Sequence, residues 1–173
     1  MRAFETALDP CVLPGVWIVA RLDGRSFTRL TKEVHPFEAP FDRRFHDHMV
    51  QTAEGLMEGC GLKAAYVHTQ SDEISMLFGP DEGGFGRRLC KLLSVLSGEA
   101  SARFSLLLGA PAVFDCRVSP LPTEEAVVDY FRWRAEDARR NALNAHCYWL
   151  LRRQGRRAAE ADAGLRGLST SGK

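Results

Sequence analysis

The sequence contains no apolar run long enough to cross a bilayer, which takes about 20 residues. Its longest apolar stretches, residues 92–96 and 106–113, are far shorter. Its first residues, MRAFETALDP, lack the apolar segment of a signal peptide. We therefore expect a cytoplasmic protein with no membrane partner.

The cysteines lack the pattern of two classes of small stabilised domain. The five cysteines are an odd number, stand far apart and form no Cys-x-x-Cys pair. Neither a disulfide framework nor a zinc knuckle is indicated, so we expect buried, reduced thiols. With 173 residues, of which 45% are hydrophobic and 26% charged, the chain can bury a globular core.

A strong excess of one charge is also missing, since the formal net charge is only +1. The basic residues are nevertheless uneven, because residues 117–173 carry 11 of the 23 Lys and Arg residues but only 7 of the 22 acidic residues. Arginine-rich helices are often simply solvated. The asymmetry becomes informative only if the preceding part of the chain binds a nucleic acid.

Hydrophobic periodicity predicts the order strand, helix, strand, strand, helix, strand and then helices. Alternating and β-branched residues predict strands over residues 16–23, 64–69, 74–79 and 112–119. Residues spaced by three or four predict helices from 41 to about 59, over 87–104, and from an N-cap at Thr123 to Arg153. The segment before Pro14 is predicted to be irregular, and a loop with Pro36 and Pro40 follows the first strand.

This βαββαβ order is typical of ferredoxin-like split units, whose sheet is mainly antiparallel. Palm domains of polymerases and nucleotide cyclases share it. We therefore predict an α+β fold with a palm-like catalytic core over residues 1–122, helices on one face of the sheet, and a helical extension over residues 123–173.

Two acidic residues stand where these elements would converge. Asp23 ends the first strand, and Asp72 lies at the tip of the hairpin formed by the second and third strands. Two such carboxylates at the edge of a sheet suit Mg²⁺, with room for phosphate oxygens and water. Because Gly24 has no side chain, its backbone carbonyl can approach a metal or nucleotide closely. The alternative is that Asp23-Gly24 is a turn and Asp72 part of a solvated tip.

Four segments in order resemble the tRNA-His guanylyltransferase family, whose members are 3′-to-5′ polymerases. They are RLDGRSFTRLTK at 21–32, TQSDEISMLF at 69–78, FDCRVSPLP at 114–122 and DYFRWRAEDARRNALNAHCYW at 129–149. FEAPFD at 37–42, SGEASA at 97–102 and NALNAHCYW at 141–149 are similar to the bacterial guanylyltransferase-like branch. Eukaryotic enzymes instead carry His-Ile-Asn-Asn at residues 139–142 and a lysine near Ala39. These differences argue against strict tRNA-His selection and guanine-only addition.

The resemblance implies a role for each matching residue. Asp23 and Asp72, with the Gly24 carbonyl, would hold two Mg²⁺ ions, and Glu73 would support them as a further catalytic acid. Contacts to the nucleotide or triphosphate are implied for Ser71 and Arg117 and considered for Arg25, Lys32, Arg88 and Lys91. The basic tail is a candidate tRNA surface through Arg132, Arg134, Arg139, Arg140, Asn141, Arg152 and Arg153.

The reaction implied by the resemblance is template-directed addition of a nucleotide to the 5′ end of a tRNA. The 3′-hydroxyl of GTP, ATP or another nucleoside triphosphate attacks an activated 5′ phosphate, and pyrophosphate or AMP leaves. The bacterial-like branch implies repair of 5′-truncated tRNA by a homotetramer. Alternatives are guanosine addition at position −1 of tRNA-His, a palm-fold nucleotidyl cyclase and a non-catalytic tRNA-binding module. Family members continue past the position matching Ser169, so we expect a shortened extension.

Overall fold

The computed structural model describes residues 1–35 and 37–168. The predicted loop residue Pro36 and residues 169–173 lie outside this part of the chain. The elements are α1 (Arg2–Thr6), β1 (Trp17–Gly24), α2 (Phe27–Arg29), α3 (Arg43–Gly59), β2 (Ala64–Gln70), β3 (Glu73–Phe78), α4 (Leu89–Leu108), β4 (Phe114–Leu121), α5 (Glu124–Arg153) and α6 (Ala158–Leu165). No helix within the described ranges is long and apolar enough to span a membrane.

The four strands form one sheet in the order β2-β3-β1-β4, with every neighbouring pair antiparallel. This is the order and orientation of a ferredoxin-like split unit, so the predicted α+β, palm-like fold is confirmed. All five cysteines are free thiols, but Cys11 and Cys90 are exposed and only Cys60 is fully buried, so the expectation that the thiols are buried is wrong for the first two.

The hydrophobic core lies between one face of the sheet and helices α3 and α4. Because strand side chains alternate between faces, every second residue of β1 and β3 enters this core. The sheet supplies Ile18, Ala20, Leu22, Ile74, Met76 and Phe78, and the helices supply Met49, Leu56, Leu96 and Phe104.

The opposite face of the sheet carries polar side chains and is covered by α5. Phe131 on α5 packs edge-on against Tyr66 of β2, with 4.9 Å between ring centroids. Arg134, also on α5, contacts Glu73 at the start of β3. The helix predicted as an extension therefore forms a second layer on this face of the sheet.

Helix boundaries match the sequence prediction where a local signal sets them. Thr123 accepts a hydrogen bond from the Ala126 N–H at 3.2 Å, and α5 ends at Arg153 as predicted. The helix predicted from residue 87 instead begins at Leu89, because a 3₁₀ turn over Gly84–Arg87 precedes it. The lead-in predicted as irregular contains α1, and the loop after β1 contains α2 and a π-helical turn over Leu30–Val34.

Candidate metal and nucleotide site

Asp23 and Asp72 lie together at one end of the sheet. Asp23 is next to last in β1 and stands opposite Glu73, the first residue of β3. Asp72 occupies the two-residue turn between β2 and β3. The Gly24 N–H donates a hydrogen bond to the Asp72 carbonyl oxygen at 3.0 Å, which fixes the hairpin tip against the end of β1.

The electrostatics around Asp72 favour a bound cation. Burial raises the pKa of Asp72, and the nearby negative charges of Asp23 and Glu73 raise it further, while a hydrogen bond with the Ser71 side chain acts in the opposite direction. Both effects penalise the ionised carboxylate in the absence of a counterion. A divalent cation would remove much of that penalty.

The donor set fits Mg²⁺. It consists of two carboxylates and the Gly24 carbonyl, all hard oxygen ligands. No group of three or more His, Cys, Asp or Glu side chains is arranged to hold a metal ion within residues 1–35 and 37–168. Mg²⁺ sites that act on nucleotides commonly use one or two carboxylates and complete their coordination with water and phosphate oxygens.

Gly24 also has a purely steric reason to be glycine. A Cβ at this position would lie 2.5 Å from Cγ of Phe27. The Phe27 ring is buried, with centroids 5.1 Å from Phe104 and 5.0 Å from Phe114. Core packing alone therefore excludes a side chain at this position.

Glu73 is held by two arginines. Its Oε1 and Oε2 accept hydrogen bonds of 2.9 Å each from Nε and Nη2 of Arg134. Arg21 approaches Oε2 at 3.6 Å. The Ser75 hydroxyl donates to Oε1 at 3.3 Å. Because these donors contact both oxygens, Glu73 anchors the start of β3 to α5 and β1.

A cavity of about 520 Å³ opens beside Asp72. This volume is in the range of small-ligand sites. Its polar wall includes Ser71, Asp72 and the Asp42 carboxylate. Lys32, which lies in the π-helical turn, also lines this wall. Hydrogen bonds from Arg44 and from the Glu38 N–H hold the pKa of Asp42 well below its usual range. Its aromatic wall is formed by Phe27, Phe37, Phe41, Phe45 and Trp149.

Two further predicted phosphate contacts lie near the acidic pair. Arg25 follows Gly24 directly and is exposed, and its N–H donates to the Val113 carbonyl at 2.8 Å. Arg117 on β4 stands opposite Arg21, on the sheet face that carries Asp23. Its side chain is 69% exposed, with Nε 3.9 Å from Asp115. Both are accessible to an anionic ligand.

Arg88 and Lys91 are not brought to the acidic pair, contrary to the prediction for phosphate contacts. They follow Arg87, whose guanidinium donates to the Val16 carbonyl just before β1 begins. Asp23 is seven residues further along the chain, which corresponds to about 20 Å of extended strand. Arg88 there forms an ion pair with Asp9 at 2.9 Å. These residues occupy the opposite end of the sheet.

The residues of α5 predicted to contact tRNA differ in their surroundings. Arg134 does not fit that prediction, because it is 5% exposed and bound to Glu73. Most of the others lie at the surface, where Arg132 pairs with Asp129, Arg140 and Asn141 contact Asp137, and Arg153 donates to the Ala39 carbonyl. Arg139 is exposed and Arg152 half-buried.

Sequence reasoning missed two parts of the site. Arg21 was not selected, although period-2 alternation on β1 places it on the same face as Asp23. Trp149 was not among the candidate site residues, yet it lines the cavity next to Asp72. No local pattern identifies the cavity, because its wall combines residues from four separate segments.

A palm-like sheet with an acidic pair at one end and a small-ligand cavity beside it is the arrangement of palm-type nucleotidyltransferases. Comparison with known proteins then identifies the family. The family model described as tRNA(His) guanylyltransferase matches residues 1–122. The chain belongs to the tRNA(His) guanylyltransferase family.

Individual relatives agree with this assignment. The probable tRNA(His) guanylyltransferase of Drosophila melanogaster is 34% identical to this chain over 183 residues. The matched region covers 100% of this chain and 62% of the Drosophila protein. The chain thus spans less than two thirds of that relative. The crystal structure of the Saccharomyces cerevisiae enzyme has a TM-score of 0.90 at 25% identity, covering 99% of this chain and 79% of that one.

A bacterial tRNA(His) guanylyltransferase-like protein has also been solved with nucleotides. Its complex with GTP has a TM-score of 0.75 at 29% identity and covers 84% of this chain and 72% of that one. Its complex with ATP has a TM-score of 0.78 at 27% identity, with coverage of 96% and 77%.

Proposed function

We propose that this chain is the catalytic part of a cytoplasmic 3′-to-5′ nucleotidyltransferase that repairs the 5′ end of truncated tRNA. The observation that carries the proposal is the convergence of Asp23 and Asp72 beside a cavity of about 520 Å³. The relatives named as tRNA(His) guanylyltransferases, and the bacterial relative solved with GTP and with ATP, support a nucleoside triphosphate as substrate.

Asp23, Asp72 and the Gly24 carbonyl would hold two Mg²⁺ ions. When bound, such ions activate an attacking hydroxyl and neutralise the triphosphate and the leaving pyrophosphate. The protein must position the reacting groups and exclude competing geometries. The hydrogen bond between Gly24 and Asp72 serves that purpose by fixing the two carboxylates relative to one another.

The cavity would bind a nucleotide with its phosphates toward Asp72 and its base toward the aromatic wall. Lys32 and Ser71 line the end next to Asp72 and can contact the phosphates. Phe41 and Trp149 offer flat apolar surfaces to the base. Arg25 and Arg117 flank Asp23 from outside the cavity, where the activated 5′ phosphate of the tRNA would approach.

The exposed arginines of α5 would contact the tRNA backbone. Arg139, Arg140 and Arg153 are at the surface of a helix that runs over the site. Such contacts supply affinity without reading sequence. Watson-Crick pairing with the opposite strand of the acceptor stem would then select the incoming base. By resemblance to the family, we propose a homotetramer as the active assembly.

The decisive experiment measures labelled nucleotide addition to a 5′-truncated tRNA. Each of the four nucleoside triphosphates is supplied singly, while the opposite template base is varied. We expect Mg²⁺-dependent addition of the complementary nucleotide only. Asp23→Ala and Asp72→Ala should each reduce the rate by more than about 100-fold, since losing even an outer partner of a metal costs 10–100-fold. Addition that ignores the opposite base would contradict templating.

Guanosine addition at position −1 of tRNA-His is the second candidate, because the curated relatives carry that name. Full-length tRNA-His without the extra guanosine, run beside the truncated tRNA, separates the two reactions. Faster addition to full-length tRNA-His would select the second candidate. Cyclic nucleotide formed without RNA would instead indicate a nucleotidyl cyclase, and tRNA binding without turnover a binding module.

A further inference from the structure

We infer that Arg134 is a positioning residue of the metal site, holding Glu73 and through it the turn that carries Asp72. The inference rests on the proposed function, in which Asp72 is a metal ligand. It assigns to α5 a part in the catalytic geometry, beyond its proposed contacts with tRNA.

The first support is the geometry of the pair. Two parallel hydrogen bonds of 2.9 Å join the Arg134 guanidinium to the Glu73 carboxylate. This bidentate arrangement fixes the orientation of both planar groups, which a single contact does not. The two side chains are 6% and 8% exposed. Arg134 is the one buried residue among all those described for α5.

The second support is the connection from Glu73 to Asp72. The two residues are adjacent, and Glu73 is where the regular hydrogen bonding of β3 begins. The Glu73 carbonyl also accepts a hydrogen bond from the Thr69 hydroxyl at 3.0 Å. With its side chain and main chain both fixed, Glu73 leaves Asp72 little freedom to move.

The third support is charge. Asp23, Asp72 and Glu73 place three carboxylates at the end of the sheet, and Arg134 compensates Glu73 directly. Without Arg134, the remaining cation at Glu73 is Arg21, whose nearest approach is 3.6 Å. A buried carboxylate that loses its main partner must move to water or seek another cation. Movement toward the metal would disturb the ligand set of Asp23 and Asp72.

The contacts of Arg134 continue along α5 toward the surface. Its Nη2 also donates to Asp137 at 3.1 Å. Asp137 in turn accepts hydrogen bonds from the exposed residues Arg140 and Asn141. Arg134 therefore lies between the metal site and the surface proposed to meet tRNA.

The test compares Arg134→Gln and Arg134→Lys with the wild type in two measurements. Mn²⁺ binding is followed by electron paramagnetic resonance of the free ion, and the Mg²⁺ concentration for half-maximal nucleotide addition is measured separately. We expect Arg134→Gln to weaken Mn²⁺ binding and raise that Mg²⁺ concentration by about 10-fold or more. Lysine should restore part of the loss, because it keeps the charge without the bidentate geometry.

The matched control is Arg103→Gln, which removes an arginine from an ion pair with Glu99 on α4, away from the site. A double variant separates positioning from other effects. If Arg134 acts through Glu73, then Glu73→Gln combined with Arg134→Gln should bind Mn²⁺ no more weakly than Glu73→Gln alone.

Two results would overturn the inference. One is unchanged Mn²⁺ affinity in folded Arg134→Gln or, if that variant does not fold, in Arg134→Lys. The other is a fall in melting temperature and maximal rate with no change in the Mg²⁺ dependence, which a merely structural residue would give. A wild type that binds Mn²⁺ but adds no nucleotide would refute the proposed function, while the Mn²⁺ comparison would still decide the role of Arg134.

Discussion

The main-chain hydrogen bond from the Gly24 N–H to the Asp72 carbonyl, 3.0 Å long, joins the two segments that carry the acidic pair. Gly24 is the last residue of β1, and Asp72 lies in the turn before β3. The backbone itself therefore sets the separation of the two carboxylates. Side chains that contact this backbone, such as Phe27 and Glu73, should influence metal binding without touching the metal.

Replacing Gly24 with alanine should destabilise the protein. The new Cβ would lie 2.5 Å from the Phe27 ring, and overpacking of this kind costs about 1–3 kcal/mol. The free energy of unfolding, measured with urea, tests this. Gly98→Ala is the control, because nothing lies within 4 Å of that exposed helical position and alanine there should stabilise the protein by up to about 1 kcal/mol. Equal stability of the two variants would refute the steric account.

Asp72→Asn should raise the melting temperature of the metal-free protein at pH 8. Because the folded-state pKa of Asp72 is raised, its ionisation opposes folding. The cost is absent below the ordinary Asp pKa of 3.8 and grows as the pH rises from there through the folded-state pKa. The advantage of the variant should therefore disappear toward pH 4.

Magnesium provides the complementary measurement on the same variant. Mg²⁺ should stabilise the wild type by binding the folded state and should stabilise Asp72→Asn much less. Asp81→Asn, on the exposed loop after β3, serves as the control and should respond to Mg²⁺ like the wild type. Equal stabilisation of Asp72→Asn and the wild type would remove Asp72 from the ligand set.

Nucleotide binding should change the fluorescence of Trp149. The chain has three tryptophans, and Trp149 lines the cavity. Adding GTP or ATP should quench the tryptophan fluorescence of the wild type and of Trp133→Phe. The fluorescence of Trp149→Phe should change much less. Trp133 is suited as a control because it lies on the same helix and is 52% exposed. A full signal from Trp149→Phe would place the nucleotide elsewhere.

Neutralising Arg139 should weaken tRNA binding in a salt-dependent manner. Each lost phosphate contact makes the negative slope of log affinity against log salt concentration shallower by about one. Affinities of Arg139→Gln at several salt concentrations measure that slope. Lys63→Gln, at the opposite end of the sheet, removes the same charge and should leave the slope unchanged. Equal slopes for the two variants would argue against a tRNA contact at Arg139.

Local signals explain why the strands and the acidic pair could be predicted. Alternation identifies β1 and β3, and the short polar segment between β2 and β3 identifies the hairpin turn. Once β3 lies beside β1, Asp23 and Asp72 must meet. The cap at Thr123 and the end of α5 at Arg153 followed from equally local patterns.

Contacts between distant segments could not be predicted in this way. Arg134 and Glu73 are 61 residues apart, and nothing in the sequence near either residue identifies the other. For this reason Arg134 was grouped with the surface arginines of α5. Arg88 and Lys91 show the opposite difference: they were considered as phosphate contacts without lying in any of the matching motifs, and their position in the fold keeps them at a distance from the acidic pair.

Helix α5 is uninterrupted for 30 residues, and at 1.5 Å per residue it is about 45 Å long. It is fixed to the sheet at Arg134 and to the loop beside the cavity at Arg153, whose Nη2 donates to the Ala39 carbonyl at 3.0 Å. The helix therefore sets the distance between these two points of attachment. One residue inserted between them would turn everything beyond it by about 100°. We therefore expect the segment between Arg134 and Arg153 to accept changes of residue type far more readily than a change in the number of residues.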